Sequence, residues 1–229
     1  MIKCEIMKNI ITFSGWGQDY NALENIAPGA NHINYKDFDN IEVLFESLRD
    51  TPCDMLIGWS LGGQLALRAI DADILKPKRL VLISTPFQFI SGQGLYCGIN
   101  MDSFIEFEND FTHDPEKTLK QFAALIAKGD KDALNITRIL RNANNEDAIK
   151  WLYWLDQLRS FSCKKMDYDK VPPTLAITGS NDMVIQSSQI DLFRPLIRSG
   201  YKAAILEKCG HAPHLHDEQR VRELIAGVV

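Results

Sequence analysis

The sequence predicts an α/β fold: a mostly parallel sheet with helices on both faces and a helical cap inserted before the last two strands. Two observations lead to this prediction. Short apolar runs without polar alternation recur between helical patterns, which is typical of parallel strands buried on both faces. A helical stretch of about residues 92–163 interrupts that rhythm and reads as the cap. We expect one domain over residues 1–229 that includes this cap.

The first half of the chain alternates strand and helix patterns. Apolar runs predict strands in NIITFSG, the weaker ANHINY, CDMLIGWS and KRLVLIST. Apolar residues at helical spacing predict helices in NIEVLFESLRD and LGGQLALRAIDAD. Each predicted strand is therefore followed by a turn or a helix, as a parallel sheet requires.

The cap and the last third of the chain complete the pattern. Two sets of cap side chains share helical faces: Leu119, Phe122, Leu125 and Ile126, and then Trp151, Leu155 and Leu158. They form either a simple core or, in part, the lining of a substrate tunnel. After the cap, strands are predicted in PTLAITGS and KAAILEKCG, and helices in SSQIDLFRPLIRSG and DEQRVRELIAGVV.

Composition excludes several classes of protein. The 229 residues are 45% hydrophobic and 24% charged, with a net charge of −5, which is ordinary for a globular domain and argues against nucleic-acid binding. No run approaches the ~20 apolar residues of a membrane span, and the N-terminus lacks the unbroken apolar core of a signal peptide. We expect a cytoplasmic, monomeric protein that uses neither nucleic acid nor membrane.

The cysteines are odd in number and far apart, which indicates free thiols rather than a disulfide framework or a zinc site. They are Cys4, Cys53, Cys97, Cys163 and Cys209.

The stretch DMLIGWSLGGQLALRA carries the strongest chemical signal. Gly58, Ser60 and Gly62 match the G-x-S-x-G nucleophile elbow, with a predicted strand before the serine and a helix after it. In such an elbow the serine occupies a strained turn at the top of the sheet, and its neighbours must be small. Ser60 is therefore the predicted nucleophile; an ordinary tight turn is the alternative.

A serine nucleophile needs a base and an orienting acid, which follow it in the chain order Ser, acid, His in this architecture. Asp182 stands in the loop after one predicted strand, and His211 stands directly after the last one. The carboxyl ends of parallel strands share one edge, so all three side chains should meet there. Asp182 as a simple turn residue remains the alternative.

Two further features surround this predicted triad. His214 and His216 lie close to His211, but three histidines on a loop without a nearby Cys partner or an evident carboxylate partner are a weak metal signal, so we predict no metal and no cofactor. An oxyanion hole needs two backbone donors, for which Leu61 after the nucleophile and Trp16 in the early SGWG loop are the candidates. Trp16 as a core residue is the alternative.

These motifs identify a resemblance. GWG after the first strand, GWSLGG at the elbow and GHAPHLHD at the histidine resemble the α/β-hydrolase superfamily. Within it they resemble the pimeloyl-[acyl-carrier protein] methyl ester esterases of biotin synthesis. Ser14 stands where that family has His, and His214 and Asp217 stand where it has Phe and Pro, so the chain looks like a diverged branch.

The resemblance implies an α/β-hydrolase fold and a carboxylesterase that hydrolyses a methyl ester through an acyl-enzyme. It implies that Phe122 lines a tunnel and that Lys117 and Arg138 hold a carrier-protein substrate. From Glu116 to Arg141 six basic and three acidic residues give a net +3, which suits an acidic acyl-carrier protein; a solvated helix face is the alternative.

Two other functions remain open. The same triad would serve a general esterase, a thioesterase or a C–C hydrolase, because specificity lies in the cap. A non-catalytic binding protein on the same scaffold is the third possibility, although such proteins often lose a triad member and here all three are present.

Overall fold

The computed structural model describes residues 8–92, 94–143 and 147–227. Its centre is a six-stranded sheet in the order β2-β1-β3-β4-β5-β6, and every pairing is parallel. The strands are β1 (Ile10–Phe13), β2 (Asn31–Ile33), β3 (Met55–Trp59), β4 (Arg79–Ile83), β5 (Thr174–Gly179) and β6 (Tyr201–Leu206). The α/β-hydrolase fold predicted from the sequence is confirmed, with all carboxyl ends at one edge.

The central strands of the sheet are buried because they are largely apolar. Every residue of β3 and of β5 is buried, whereas the edge strand β6 alternates between half-buried and exposed positions. Continuous apolar strands need helices against them. The helices flanking the sheet are α1 (Ile41–Leu48), α2 (Leu61–Asp71), α7 (Pro213–His216) and α8 (Glu218–Ala226). Of these, α2 packs against β1, β3 and β4, and α8 packs against β5.

A helical insert, which we define as α3–α6, separates β4 from β5. Its helices are α3 (Met101–His113), α4 (Pro115–Ala127), α5 (Ala133–Leu140) and α6 (Trp151–Ser160). Asn100 and Asp114 cap the first two helices with side-chain oxygens that accept from Ser103 N and Lys117 N. The expected face of α4 is buried at Leu119, Phe122 and Ile126, but Leu125 is 36% exposed and faces a cavity instead.

One predicted helix is wrong. The stretch SSQIDLFRPLIRSG forms only a 3₁₀ segment, Ser187–Leu192, because Pro195 has no N–H to donate and its ring crowds a continuing helix. Cys53, Cys97, Cys163 and Cys209 are free, and Cys4 lies outside the described residues. No helix in the described part of the chain is long and apolar enough to cross a membrane.

Candidate active site

Ser60 lies at the sharp turn between β3 and α2, with the unusual backbone angles φ 55° and ψ −120°. A non-glycine residue with positive φ is strained, and such strain persists only where the surroundings impose it. Ser60 N–H donates to Ile83 O of the neighbouring strand at 2.8 Å, which ties the turn to the sheet. The hydroxyl is thereby held at the carboxyl end of β3, beside the N-terminus of α2.

The glycines around Ser60 are required by close backbone approaches. A Cβ at Gly58 would lie 2.4 Å from Gly63 Cα, and one at Gly62 would lie 2.2 Å from Phe13 O. A Cβ at Gly63 would lie 1.9 Å from Thr85 Oγ1. Real Cβ atoms do not approach other atoms that closely, so each of these positions requires glycine. The glycines of the elbow motif are therefore explained by the close packing of β1, β3 and α2.

The structure brings the three predicted triad residues together. His211 Nε2 lies 2.9 Å from Ser60 Oγ, and His211 Nδ1 lies 2.7 Å from Asp182 Oδ2. The His211 and Asp182 side chains are 1% and 0% exposed. Asp182 Oδ1 also accepts from the N–H groups of Val184 and Ile185, at 2.9 and 3.0 Å. The carboxylate is therefore fixed, and with the proton on Nδ1 the imidazole can accept the serine proton at Nε2.

Leu61 is the first residue of α2, so its amide is among those with no partner inside the helix, as an oxyanion donor requires. Trp16 lies in the turn after β1, and its indole Nε1–H donates to Trp151 O of the insert at 2.8 Å. The Trp16 ring packs edge-on against Phe122 and Phe107, with ring centroids 5.3 and 5.5 Å away. Trp16 thus joins the first loop of the sheet to the insert.

An apolar cavity of about 190 Å³ lies between the insert and the loop that carries Asp182. Phe122, predicted to line a tunnel, is one of its walls. The lining residues are Phe89, Ile99, Ser103, Phe107, Phe122, Leu125, Met183 and Val184. A space with this lining can accept an aliphatic chain but offers few groups to bind a charged one.

Lys117 and Arg138 are exposed on α4 and α5, away from the buried triad. Arg138 Nη2 donates to Asn135 Oδ1 at 2.9 Å, so its guanidinium is held near the helix surface. The opposite character marks α3, whose exposed face carries Asp102, Glu106 and Asp110. Within the insert, exposed acidic residues are concentrated on α3, whereas α4 and α5 carry exposed basic residues as well.

Sequence reasoning missed how the histidine loop is held. Trp59, inside the elbow motif, donates its indole N–H to His211 O at 2.9 Å. The His211 N–H donates to Ile126 O at the end of α4, also at 2.9 Å. Trp59 was visible in the motif, but nothing in the one-dimensional pattern indicates which carbonyl an indole will reach.

His214 is buried against Trp59, with ring centroids 4.5 Å apart, and neither of its ring nitrogens has a hydrogen-bond partner among the described residues. Burial, together with the nearby His211, lowers the pKa of His214 to about 3. The ring is therefore neutral and acts as an apolar filler. Asp217, another residue that departs from the family pattern, is the N-cap of α8, since its Oδ1 accepts from Arg220 N at 2.9 Å.

Comparisons with known proteins place these observations in a wider group. The model of the Alpha/beta hydrolase family matches residues 10–224. The "Biotin biosynthesis bifunctional protein BioHC" of Teredinibacter turnerae is 30% identical over 185 residues, which are 74% of this chain and 32% of that protein. The "Pimeloyl-[acyl-carrier protein] methyl ester esterase" of Xylella fastidiosa is 27% identical over 82% of this chain and 75% of its own length.

Solved structures give the same architecture. An esterase from Exiguobacterium antarcticum superposes with a TM-score of 0.77 at 16% identity, covering 96% of this chain and 91% of that one. A bromoperoxidase from Bacillus anthracis superposes with a TM-score of 0.78 at 17% identity, covering 98% and 92%. At such identities the likeness concerns the fold alone. Because the family model matches residues 10–224, which are nearly the whole of this chain, the chain belongs to the α/β hydrolase family.

Proposed function

We propose that this protein is a carboxylesterase that hydrolyses the methyl ester of a pimeloyl chain carried on an acyl-carrier protein. The observation that carries the esterase part is the hydrogen-bonded line from Ser60 Oγ through His211 to Asp182, at 2.9 and 2.7 Å. This is the arrangement that makes a serine hydroxyl nucleophilic toward an acyl carbon. The substrate part rests on the distant relatives and on the insert.

The proposed reaction has two steps. Ser60 Oγ attacks the ester carbonyl while His211 Nε2 takes its proton, and the amides of Trp16 and Leu61 stabilise the oxyanion. His211 then gives the proton to the departing methanol, leaving an acyl-serine. Water, deprotonated by the same imidazole, releases the carboxylic acid and restores Ser60. Each oxyanion donor would lower the barrier by about 3 kcal/mol.

The apolar cavity beside the Asp182 loop supports an aliphatic acyl group. Phe107, Phe122 and Val184 line it, and a methyl ester neutralises the end of a dicarboxylic chain that would otherwise be charged. Burying a lone carboxylate in such a space costs far more than burying an ester. The site therefore suits the ester as substrate and disfavours the carrier-bound carboxylate that hydrolysis produces, which favours product release.

The charge of the insert supports a carrier-bound substrate. Lys117 and Arg138 are exposed, and the segment from Glu116 to Arg141 that contains them carries a net charge of +3. The acidic α3 would repel an acidic carrier, so approach is steered to the α4–α5 side. The carrier's arm would then reach Ser60 from that side of the insert.

The test compares the carrier-bound pimeloyl methyl ester with a free short methyl ester, measured as kcat/KM at the same ionic strength. We expect a clear preference for the carrier-bound ester, and loss of both activities in Ser60→Ala. Equal kcat/KM for the two substrates would remove the carrier-specific function and leave a general esterase. A carrier-bound thioester cleaved faster than the methyl ester would assign a thioesterase instead.

Fluorophosphonate labelling separates the esterase from a non-catalytic binding protein. We expect wild type to be labelled at Ser60 and Ser60→Ala to remain unlabelled, because only an activated serine reacts. Wild type that fails to label would favour the binding protein.

A further inference from the structure

Three potential metal ligands from separate parts of the chain meet beside the histidine loop. Asp130 comes from the loop between α4 and α5, Cys209 precedes His211 by two residues, and His216 ends α7. One ligand atom from each lies within 4.8 Å of the other two. All three side chains are buried: Asp130 is 1% exposed, His216 5%, and Cys209 0%.

The cluster is internally hydrogen-bonded when no ion is bound. His216 Nδ1 lies 2.9 Å from Asp130 Oδ2, which also accepts from Gly210 N–H at 3.0 Å. Burial, followed by the charges of Asp130 and Asp182, raises the pKa of the Cys209 thiol well above its ordinary value. The thiol of the metal-free protein is therefore protonated. A structural tie between the insert and the histidine loop is thus the simplest role of the cluster.

The types of ligand in this cluster indicate more than a structural contact between the insert and the histidine loop. We propose that Asp130, Cys209 and His216 bind one divalent cation of the zinc class. A thiolate, an imidazole and a carboxylate are the ligands that Zn²⁺ uses in proteins, commonly three of them with water in the fourth position. This cluster combines one of each in a buried place, and it contributes nothing to the proposed acyl-transfer chemistry.

Two of the three ligand atoms already lie close to the spacing that the ion requires, and the third lies within 4.8 Å of both. Two ligands of a tetrahedral Zn²⁺ site, each about 2.1 Å from the metal, lie ~3.4 Å apart. Asp130 Oδ2 and His216 Nδ1 are 2.9 Å apart, so they need to separate by only about half an ångström. The imidazole would keep one proton by moving it to Nε2, and the thiol would lose its proton to solvent. One ion bound thus releases one proton.

An entry path is present beside His216. A surface cleft there is lined by His216 and β6, with two acidic and two basic side chains at its edge. Those charged residues are Glu207, Asp217, Lys131 and Arg220. A cation can reach the imidazole from this cleft without disturbing the sheet.

The position gives the ion a structural consequence. The end of α4 and the loop that follows it already contact the catalytic loops through hydrogen bonds outside the cluster, including His211 N–H to Ile126 O, Lys131 N–H to Lys208 O, and Asn181 Nδ2 to Gly129 O. A metal bound by Asp130 and Cys209 would add a strong bond across the same junction. It would hold the insert against the loop that carries His211.

Titration of the full-length, chelator-treated and reduced protein with Cd²⁺ tests the site. A Cd²⁺–thiolate bond produces an ultraviolet charge-transfer band that reports the sulfur directly, independently of any esterase activity. We expect the band to saturate at one Cd²⁺ per chain and Zn²⁺ to displace it. Cys209→Ser should abolish the band, and His216→Gln should weaken binding by at least about tenfold.

The control is Cys97→Ser, which removes a half-buried thiol outside the cluster and should leave the band unchanged. Absence of the band in wild type would overturn the site, as would a band retained in Cys209→Ser but lost in Cys97→Ser. Circular dichroism checks that each variant is folded. If Cys209→Ser does not fold, His216→Gln decides: wild-type affinity in that variant rejects the site.

Discussion

The rim of the sheet and the helical insert hold their side chains by different means. We use "rim" for the carboxyl ends of β3, β5 and β6 with the loops that carry Ser60, Asp182 and His211. At the rim, backbone atoms approach so closely that Gly62 and Gly179 cannot carry a Cβ: at either position it would lie 2.2 Å or less from a carbonyl oxygen. The insert, by contrast, is held by aromatic rings that pack edge to face, as Phe111 and Phe122 do against Trp16 of the first loop.

The difference teaches where change is tolerated. Backbone contacts leave no alternative residue, so the rim should lose stability or chemistry abruptly on substitution. Aromatic contacts of this kind can be remade by rings of similar size, so the insert can diverge and alter which substrate is accepted. The proposed chemistry belongs to the rim, and the proposed specificity belongs to the insert.

The largest expected effect is the loss of the nucleophile. Ser60→Ala should lower kcat for any ester by at least about 10⁴-fold, because no other hydroxyl is placed on His211 Nε2. Thermal unfolding should show an unchanged or higher Tm, since the hydroxyl lies in a strained turn. Steady-state kinetics with a chromogenic ester measures the rate. Residual activity within tenfold of wild type would disprove the role of Ser60.

The next largest effect concerns the elbow backbone. Gly62→Ala should lower the free energy of unfolding by about 3 kcal/mol, because the new Cβ would meet Phe13 O at 2.2 Å and backbone cannot easily move aside. The matched control is Gly227→Ala at the end of α8, where the nearest atom would lie at 3.5 Å and φ is −75°. That control should be neutral or slightly stabilising. Urea denaturation measures both; equal costs would refute the packing argument.

The third prediction concerns acid. The unfolded chain protonates His214 below pH 6.5, but the folded chain does so only near pH 3, so this residue removes stability as the pH falls from 6.5 toward 3. Between pH 6.5 and pH 4.5 the free energy of unfolding of His214→Phe should therefore fall by about 2 to 3 kcal/mol less than that of wild type. Urea denaturation at both pH values measures this. The exposed His113→Gln serves as control and should behave as wild type.

A smaller effect should follow from loosening the histidine loop. Trp59→Phe removes the N–H that donates to His211 O, leaves a buried carbonyl unpaired, and should lower kcat about tenfold with KM nearly unchanged. Trp151→Phe is the matched control, because its indole N–H is buried without a partner among the described residues. A similar fall in kcat for both variants would show that ring size, not the hydrogen bond, matters.

The smallest effect is expected on the insert surface. Lys117→Glu with Arg138→Glu should lower the ratio of kcat/KM for the carrier-bound ester to that for a free ester by about threefold to tenfold. The difference should shrink as salt is added, because exposed charges act mainly on association. Arg222→Glu on α8, a cation outside the insert, should leave the ratio unchanged. An unchanged ratio in the double variant would place carrier docking elsewhere.

The sequence carried much of the rim and little of the insert. Ser60, Asp182 and His211 were identifiable because each follows an apolar strand, and parallel strands bring such positions to one edge. The helix predicted after Gln186 is wrong because Pro195 cannot donate a backbone hydrogen bond within a helix, and apolar spacing alone does not show this restriction. For the α4 face that includes Leu125, core and tunnel lining both stayed open, because periodicity identifies a helical face but not the cavity in front of it.

The cluster of Asp130, Cys209 and His216 is a second feature that the sequence pattern did not predict. Three nearby histidines suggested an ion, and the lack of an evident carboxylate argued against it. The carboxylate is Asp130, which is 86 residues from His216 in the chain and 2.9 Å from it in space. No local pattern links two such positions, so only the folded chain could show them together.

By itself the sequence determined the parallel sheet, the elbow and the order of the reacting groups, because these depend on local spacing and on residues that no other type can replace. Tertiary structure decided which indole donates to His211 O, which part of the insert contacts the His211 loop, and how large the cavity lined by Phe122 is. Those features depend on how side chains from distant segments pack together in the same space. No single segment of the sequence specifies that packing.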